Sequence, residues 1–221
     1  MNVAIIGAGN VGSALVTAFT RSGHRVLVAS HDPADALSLA RATGARAAGS
    51  NAEAAAAADV VLLAVPFDSA EAVATEIREA VAGKPVVDVS NRMSVGPNGP
   101  IIDGGPSNAE KLAAWLPESK IVKALNTVFA SNQSDPVVEG IQLDGFVAAD
   151  DAAAKATVLE LVGSIGLRPI DAGPLSRAQQ LEQLAFLNIA LNATNGWTWE
   201  SGWRLAGAPS ADPRVTSDHA A

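Results

Sequence analysis

Residues 7–12 read Gly7-Ala8-Gly9-Asn10-Val11-Gly12, a G-x-G-x-x-G pattern. Alone the pattern is weak, and its setting strengthens it. Val3–Ile6 is a short apolar run of the kind that forms a buried strand. From Asn10 to Ser22, Val11, Leu15, Ala18 and Phe19 recur at helical spacing. In a strand, loop and helix of this order, the first glycine permits the turn. The second lets a pyrophosphate approach the backbone, and the third lets the helix pack close on the strand. The helix start then offers unpaired N–H groups and a partial positive charge to an anion. The plainer alternative is a glycine turn that holds nothing.

The next position with chemical content follows the second strand, Arg25–Ala29. A dinucleotide site that prefers NAD places a carboxylate about 20 residues on, where it binds the ribose 2′-hydroxyl. Here Ser30 and His31 stand there, followed by Asp32. A serine donates to a 2′-phosphate that a carboxylate would repel, and His31 adds charge or a hydrogen bond, so NADP is expected. Asp32 precedes Pro33, an arrangement suited to capping a helix that begins at the proline.

Further along, three loops leave the ends of apolar runs: Ala64-Val65-Pro66-Phe67, Val89-Ser90-Asn91-Arg92 and Ala124-Leu125-Asn126-Thr127-Val128. Ligands of open parallel sheets lie beyond such ends. Ala64, Val65 and Pro66 are candidate cofactor contacts, and Phe67 is expected to lie over the cofactor. Asn91 and Asn126 are placed to meet a nicotinamide amide or a substrate carbonyl, or else only cap their turns. No catalytic side chain is assigned. The chain has no tyrosine, and its histidines are His24, His31 and His219. No nucleophile–base pair and no paired metal ligands stand out. Lys123 is the only lysine near a strand end. Carbonyl reduction needs a placed proton donor, whereas hydride transfer between two bound ring systems needs chiefly placement.

The elements that must position these residues alternate. Strands are expected at Val3–Ile6, Arg25–Ala29, Ala45–Ala48, Val60–Val65, Pro85–Val89, Ile121–Ala124, Gly145–Ala148 and Arg168–Ile170. Helices are expected at 10–22, Pro33–Thr43, Ala52–Ala57, Ser69–Val81, Asn108–Leu116 and Ala152–Gly163. Continuous apolar strands separated by helices imply an α/β fold: a doubly wound, mainly parallel sheet of the Rossmann type. Residues 1–175 are read as an NADP-binding domain, 176–208 as a small helical C-terminal part and 209–221 as a loose tail. The helix of the C-terminal part is long, poor in charge and stopped by Asn195-Gly196. Trp197, Trp199 and Trp203 follow, as packing or as an apolar substrate wall.

With 221 residues, no cysteine and a net charge of -8, the chain excludes disulfides and thiolate metal sites and disfavours nucleic-acid binding. No signal peptide and no membrane-spanning run is visible, so a cytoplasmic protein with a small-molecule partner is expected.

On the glycine loop, Ser30, Ala64-Val65-Pro66, Lys123-Ala124-Leu125-Asn126-Thr127 and Asp171-Ala172-Gly173-Pro174-Leu175, the chain resembles the NADPH:F-420 oxidoreductase family over nearly its whole length. Val89-Ser90-Asn91 and Ala124-Leu125-Asn126 also resemble the cytosolic domain of animal membrane ferric reductases. The resemblance implies NADP at the glycine loop, its 2′-phosphate near Ser30 and His31, and a deazaflavin (coenzyme F-420) or flavin ring on the nicotinamide. It also implies a homodimer. Archaeal members carry Arg in place of His31 and His in place of Asn126. Two other functions compatible with the residues are a reductase of a small imine or ketone and a non-catalytic dinucleotide-binding module.

Overall fold

The computed structural model describes residues 1–96, 99–102 and 104–207. The expected tail at 209–221, with His219, lies outside them. Twelve strands occur among the described residues: β1 (Asn2–Ile6), β2 (Arg25–Ala29), β3 (Arg46–Ala47), β4 (Val60–Leu63), β5 (Pro85–Asp88), β6 (Ser94–Gly96), β7 (Gly99–Ile101), β8 (Lys120–Ala124), β9 (Val137–Val138), β10 (Ile141–Gln142), β11 (Asp144–Ala149) and β12 (Arg168–Gly173). The helices are α1 (Asn10–Arg21), α2 (Pro33–Thr43), α3 (Asn51–Ala56), α4 (Phe67–Ile77), α5 (Asn108–Trp115), α6 (Ala152–Ser164) and α7 (Ala178–Asn195).

Eight strands form one sheet in the order β12-β11-β8-β5-β4-β1-β2-β3. At its centre Val3 pairs with Val26 on one side and with Val60 on the other, all parallel. Because the side-chain period of a strand is two, the continuous apolar runs feed both faces. Val3, Ile5, Val60 and Leu62 enter one core cluster. Ala4, Ile6, Val61 and Leu63 enter the other. A helix layer covers each face, so neither set of strand residues meets water.

Three features depart from the sequence expectations. β11 and β12 extend the sheet, but β11 runs antiparallel to β8 while β12 pairs parallel with β11. Two small antiparallel hairpins, β6–β7 and β9–β10, were not expected. α4 begins at Phe67 and ends at Ile77, earlier at both ends than the apolar spacing suggested.

Most helix starts are closed by a side chain. Asp32 Oδ1 accepts from Ala34 N at 2.8 Å, as expected for the cap of α2. Ser50 caps α3, Ser107 and Glu110 form a reciprocal capping box on α5, and Asp151 caps α6. α7 ends as expected, with Asn195 followed by Gly196 at φ 66°. Beyond it the chain turns back onto the sheet edge. Asp144 pairs with Arg168 through two oxygens, at 2.6 and 2.9 Å, and also accepts from Leu205 N at 2.6 Å. No helix among the described residues is long and apolar enough to cross a membrane.

Candidate active site at the carboxyl rim of the sheet

The loop after β1 is shaped by atoms it lacks. A Cβ on Gly7 would lie 2.3 Å from the Ala64 carbonyl oxygen, and one on Gly12 would lie 2.0 Å from the Gly7 carbonyl oxygen. Both positions are therefore closed to side chains by the protein itself, and Gly7 also holds φ 117°. Gly9 differs, since a Cβ there would meet nothing within 4 Å. Gly9 is also the N-cap of α1, and no side chain caps this helix. The first-turn N–H groups thus face outward from an open position, and Asn10 beside them is exposed.

Neighbouring strands bring the other candidates to the same rim. Gly7 N donates to Ala29 O at 2.8 Å, which sets half-buried Ser30 and exposed His31 beside the loop. The crowding of Gly7 against Ala64 sets Ala64, Val65 and Pro66 on its other side. Phe67 shares a small pocket with Val65, Asp88 and Ser90 at the ends of β4 and β5. It stacks on Trp115 with ring centroids 5.5 Å apart and Lys111 Nζ above it.

Asn91 and Asn126, expected as separate rim residues, form a reciprocal pair. Asn126 Nδ2 donates to Asn91 Oδ1 at 2.8 Å, and Asn91 Nδ2 donates to Asn126 O at 3.0 Å. Asn126 Nδ2 also donates to Leu181 O on α7 at 3.0 Å. Leu125, just before, holds φ 64°, an uncommon conformation for a residue with a side chain. Val11, Asn91 and Asn126 share the wall of a cleft of about 180 Å³ with Val89, Phe129, Gln133 and Ala185. Ser30, His31 and Pro66 lie on the rim outside that cleft. Trp197 lines a separate, larger groove. Trp199 packs edge-on against Phe129 at 5.5 Å.

Lys123, the one lysine near a strand end, is sealed. Its ammonium donates to Asp88 Oδ2 at 2.7 Å, Glu182 Oε1 at 2.9 Å and Ser90 O at 2.5 Å. Both side chains of the Lys123–Glu182 pair are 0% exposed. Three acceptors use its three protons, and it has none left for a substrate. Ser90 Oγ donates to Asp88 at 2.6 Å and accepts from Asn108 at 2.9 Å, while Asn108 N donates to Glu182 at 2.8 Å. Burial pushes the Glu182 carboxyl up from the ordinary glutamate range, against the opposing pull of the Lys123 ammonium. This cluster locks α7 to the ends of β5 and β8 and thereby fixes the cleft wall. Asp88, Glu182, Asn108 and Gln133 were not singled out from the sequence. The available signals were charges inside apolar segments: Lys123 in Ile121–Ala124, Asp88 after Val86-Val87, and Glu182 on an apolar helix.

Among known proteins, a family model described as NADP oxidoreductase, coenzyme F420-dependent, matches residues 2–92. The F420-dependent NADP reductase of Methanothermobacter marburgensis is 30% identical over 213 residues, covering 88% of this chain and 94% of that protein. The chain belongs to the F420-dependent NADP reductase family. This reductase is thus an oxidoreductase. A crystal structure of a putative F420-dependent NADP reductase from Arthrobacter sp. FB24 is 30% identical, with a TM-score of 0.82 over 92% of this chain and 98% of that one. Metalloreductase STEAP3 of Rattus norvegicus is 32% identical over 82% of this chain, which spans only 36% of that larger protein. An imine reductase from Myxococcus stipitatus, at 18% identity and a TM-score of 0.68, shares the fold.

Proposed function

We propose that this reductase binds NADP(H) along the rim and passes hydride between its nicotinamide and a deazaflavin or flavin ring in the cleft. The observation that carries the reading is the start of α1. Gly9 is open to approach, the helix is uncapped, and the adjoining glycines are crowded only by the protein. A diphosphate fits there because it receives the outward N–H groups without displacing a side chain. Ser30 and His31 hold the 2′-phosphate. Asp32, the carboxylate that would oppose it, is engaged in capping α2.

The bound cofactor supplies the hydride. The protein holds the diphosphate and seats the ring against the wall made by Val11, Asn91 and Asn126. Lys123 supplies no proton to the reaction, which favours ring-to-ring transfer over carbonyl reduction. Stopped-flow absorbance with NADPH tests the reading. Rapid NADPH oxidation with a deazaflavin or a flavin is expected, and no oxidation above background with either removes it.

The working form is a homodimer in this proposal. Leu187 and Leu191, one turn apart on α7, are 49% and 37% exposed, and Trp197 beyond them is 47% exposed. A second copy covering this apolar face would remove that surface from water. Sedimentation at micromolar concentration is expected to show a dimer.

A further inference from the structure

Three buried polar atoms on the cleft wall have no hydrogen-bond partner: Asn126 Oδ1, Thr127 Oγ1 and Gln133 Oε1. The two amides are not ambiguous in orientation. Gln133 Nε2 faces the carbonyls of Leu125 and Val128 at 3.3 and 3.2 Å, and Asn126 Nδ2 faces the carbonyl of Leu181 at 3.0 Å. A carbonyl only accepts, so each amide must turn its N–H₂ toward the backbone and leave its oxygen over. The other amides on this wall are engaged. Asn91 is paired with Asn126, and Asn188 Oδ1 accepts from Ser201 Oγ at 2.7 Å. Gln133 is 0% exposed and Asn126 is 6% exposed, so water does not relieve them cheaply.

We propose that Asn126 and Gln133 read a planar N–H edge of the ligand, and that Thr127 adds its hydroxyl to the same edge. This rests on the reading of the cleft as the ring site. Two rings of that reading carry such an edge: the carboxamide N–H₂ of the nicotinamide and the imide N–H of a flavin or deazaflavin. An acceptor-only group such as a ketone carbonyl would add lone pairs to a wall already short of donors. Each oxygen is reached by a rearrangement of its side chain as the ring enters. Gln133 is then a specificity-determining residue that also braces the strained turn at Leu125.

Calorimetry on the full chain tests the assignment with two matched pairs. The first is NADP+ against its 3-acetylpyridine analogue, in which a methyl replaces the amide N–H₂. The second is riboflavin phosphate against its N3-methyl form, titrated with NADP+ present. A loss of about tenfold or more in affinity is expected for one pair and names the ring that docks. In Gln133→Met that difference shrinks to about twofold. A purely steric objection to the N3-methyl group would persist in the variant. If Gln133→Met fails to fold, the pairs on the unaltered chain decide alone. NADP+ binding with less than twofold discrimination in both pairs overturns the N–H assignment and leaves the proposed function standing. No binding of NADP+ at all overturns both.

Discussion

The glycine loop after β1 and the Lys123 cluster at the ends of β5 and β8 build the same rim by opposite means. The loop works by omission: at two glycines an added Cβ would lie 2.0 and 2.3 Å from a backbone carbonyl oxygen, and the third faces open space. The cluster works by saturation, with one ammonium enclosed by two carboxylates and a carbonyl. The loop tolerates little change in residue type, and from outside it is closed chiefly by Ala64 against Gly7. The cluster is non-local, since Lys123 meets Asp88 across 35 residues and Glu182 across 59. One region leaves a helix start open, and the other holds a helix in place.

The largest test of that contrast is Lys123→Met. It leaves two buried carboxylates without their cation and is expected to cost about 3–5 kcal/mol. In a chain of this size that is a fall of roughly 6–20 °C in melting temperature. A change under about 1 kcal/mol would break the contrast, because the cluster would then contribute no more than a surface pair.

Within the loop, Gly12→Ala is expected to destabilise by about 1–3 kcal/mol through overpacking against Gly7. Gly9→Ala should leave unfolding in urea within about 0.5 kcal/mol of the parent while raising the Kd for NADP+ at least about tenfold. Equal effects of the two on stability would show that Gly9 serves the fold.

Asp32→Ala sharpens the contrast at a capped helix start. A loss of about 1 kcal/mol is expected from the missing cap, with the ratio of NADP+ to NAD+ affinity unchanged. A shift of that ratio toward either cofactor would show that Asp32 faces the ribose.

The smallest effect concerns pH. Because burial raises the Glu182 carboxyl, the folded state holds its proton at pH values where the unfolded chain has released it. Its contribution to stability is whole below the ordinary glutamate range and is lost as pH rises through the raised folded value. Melting curves of the parent minus those of Glu182→Gln should slope downward over that window. An upward slope would mean that Lys123 dominates and holds the carboxylate ionised.

How much of this was legible beforehand follows the same division. The loop, the first five sheet strands as they follow along the chain and the Asp32 cap are encoded within short windows, so spacing and residue type sufficed. The direction of β11 was not legible: Gly145–Ala148 reads as a strand whichever way it runs, and its sense depends on how 125–143 crosses the rim. β9 and β10 have two residues each, too few to show a period. Asn91 and Asn126 were legible as rim residues, but their mutual hydrogen bonds depend on two loops meeting. Lys123 looked available because a strand end is usually accessible. Only the arrival of Glu182 on α7 closes it. The stacking of Phe67 on Trp115 was not legible either, since Trp115 belongs to another helix.

The reversal of β11 and β12 governs when this enzyme can be finished. Those two strands run against the other six, so the chain leaves β12 at the foot of the sheet, opposite the glycine loop. α7, about 27 Å long at 1.5 Å per residue, then climbs back toward the rim. On the ribosome, Asp88 and Lys123 emerge before Glu182, which follows Lys123 by 59 residues. The glycine loop can take shape early in synthesis, while the compartment beside it is sealed only once α7 has emerged and docked.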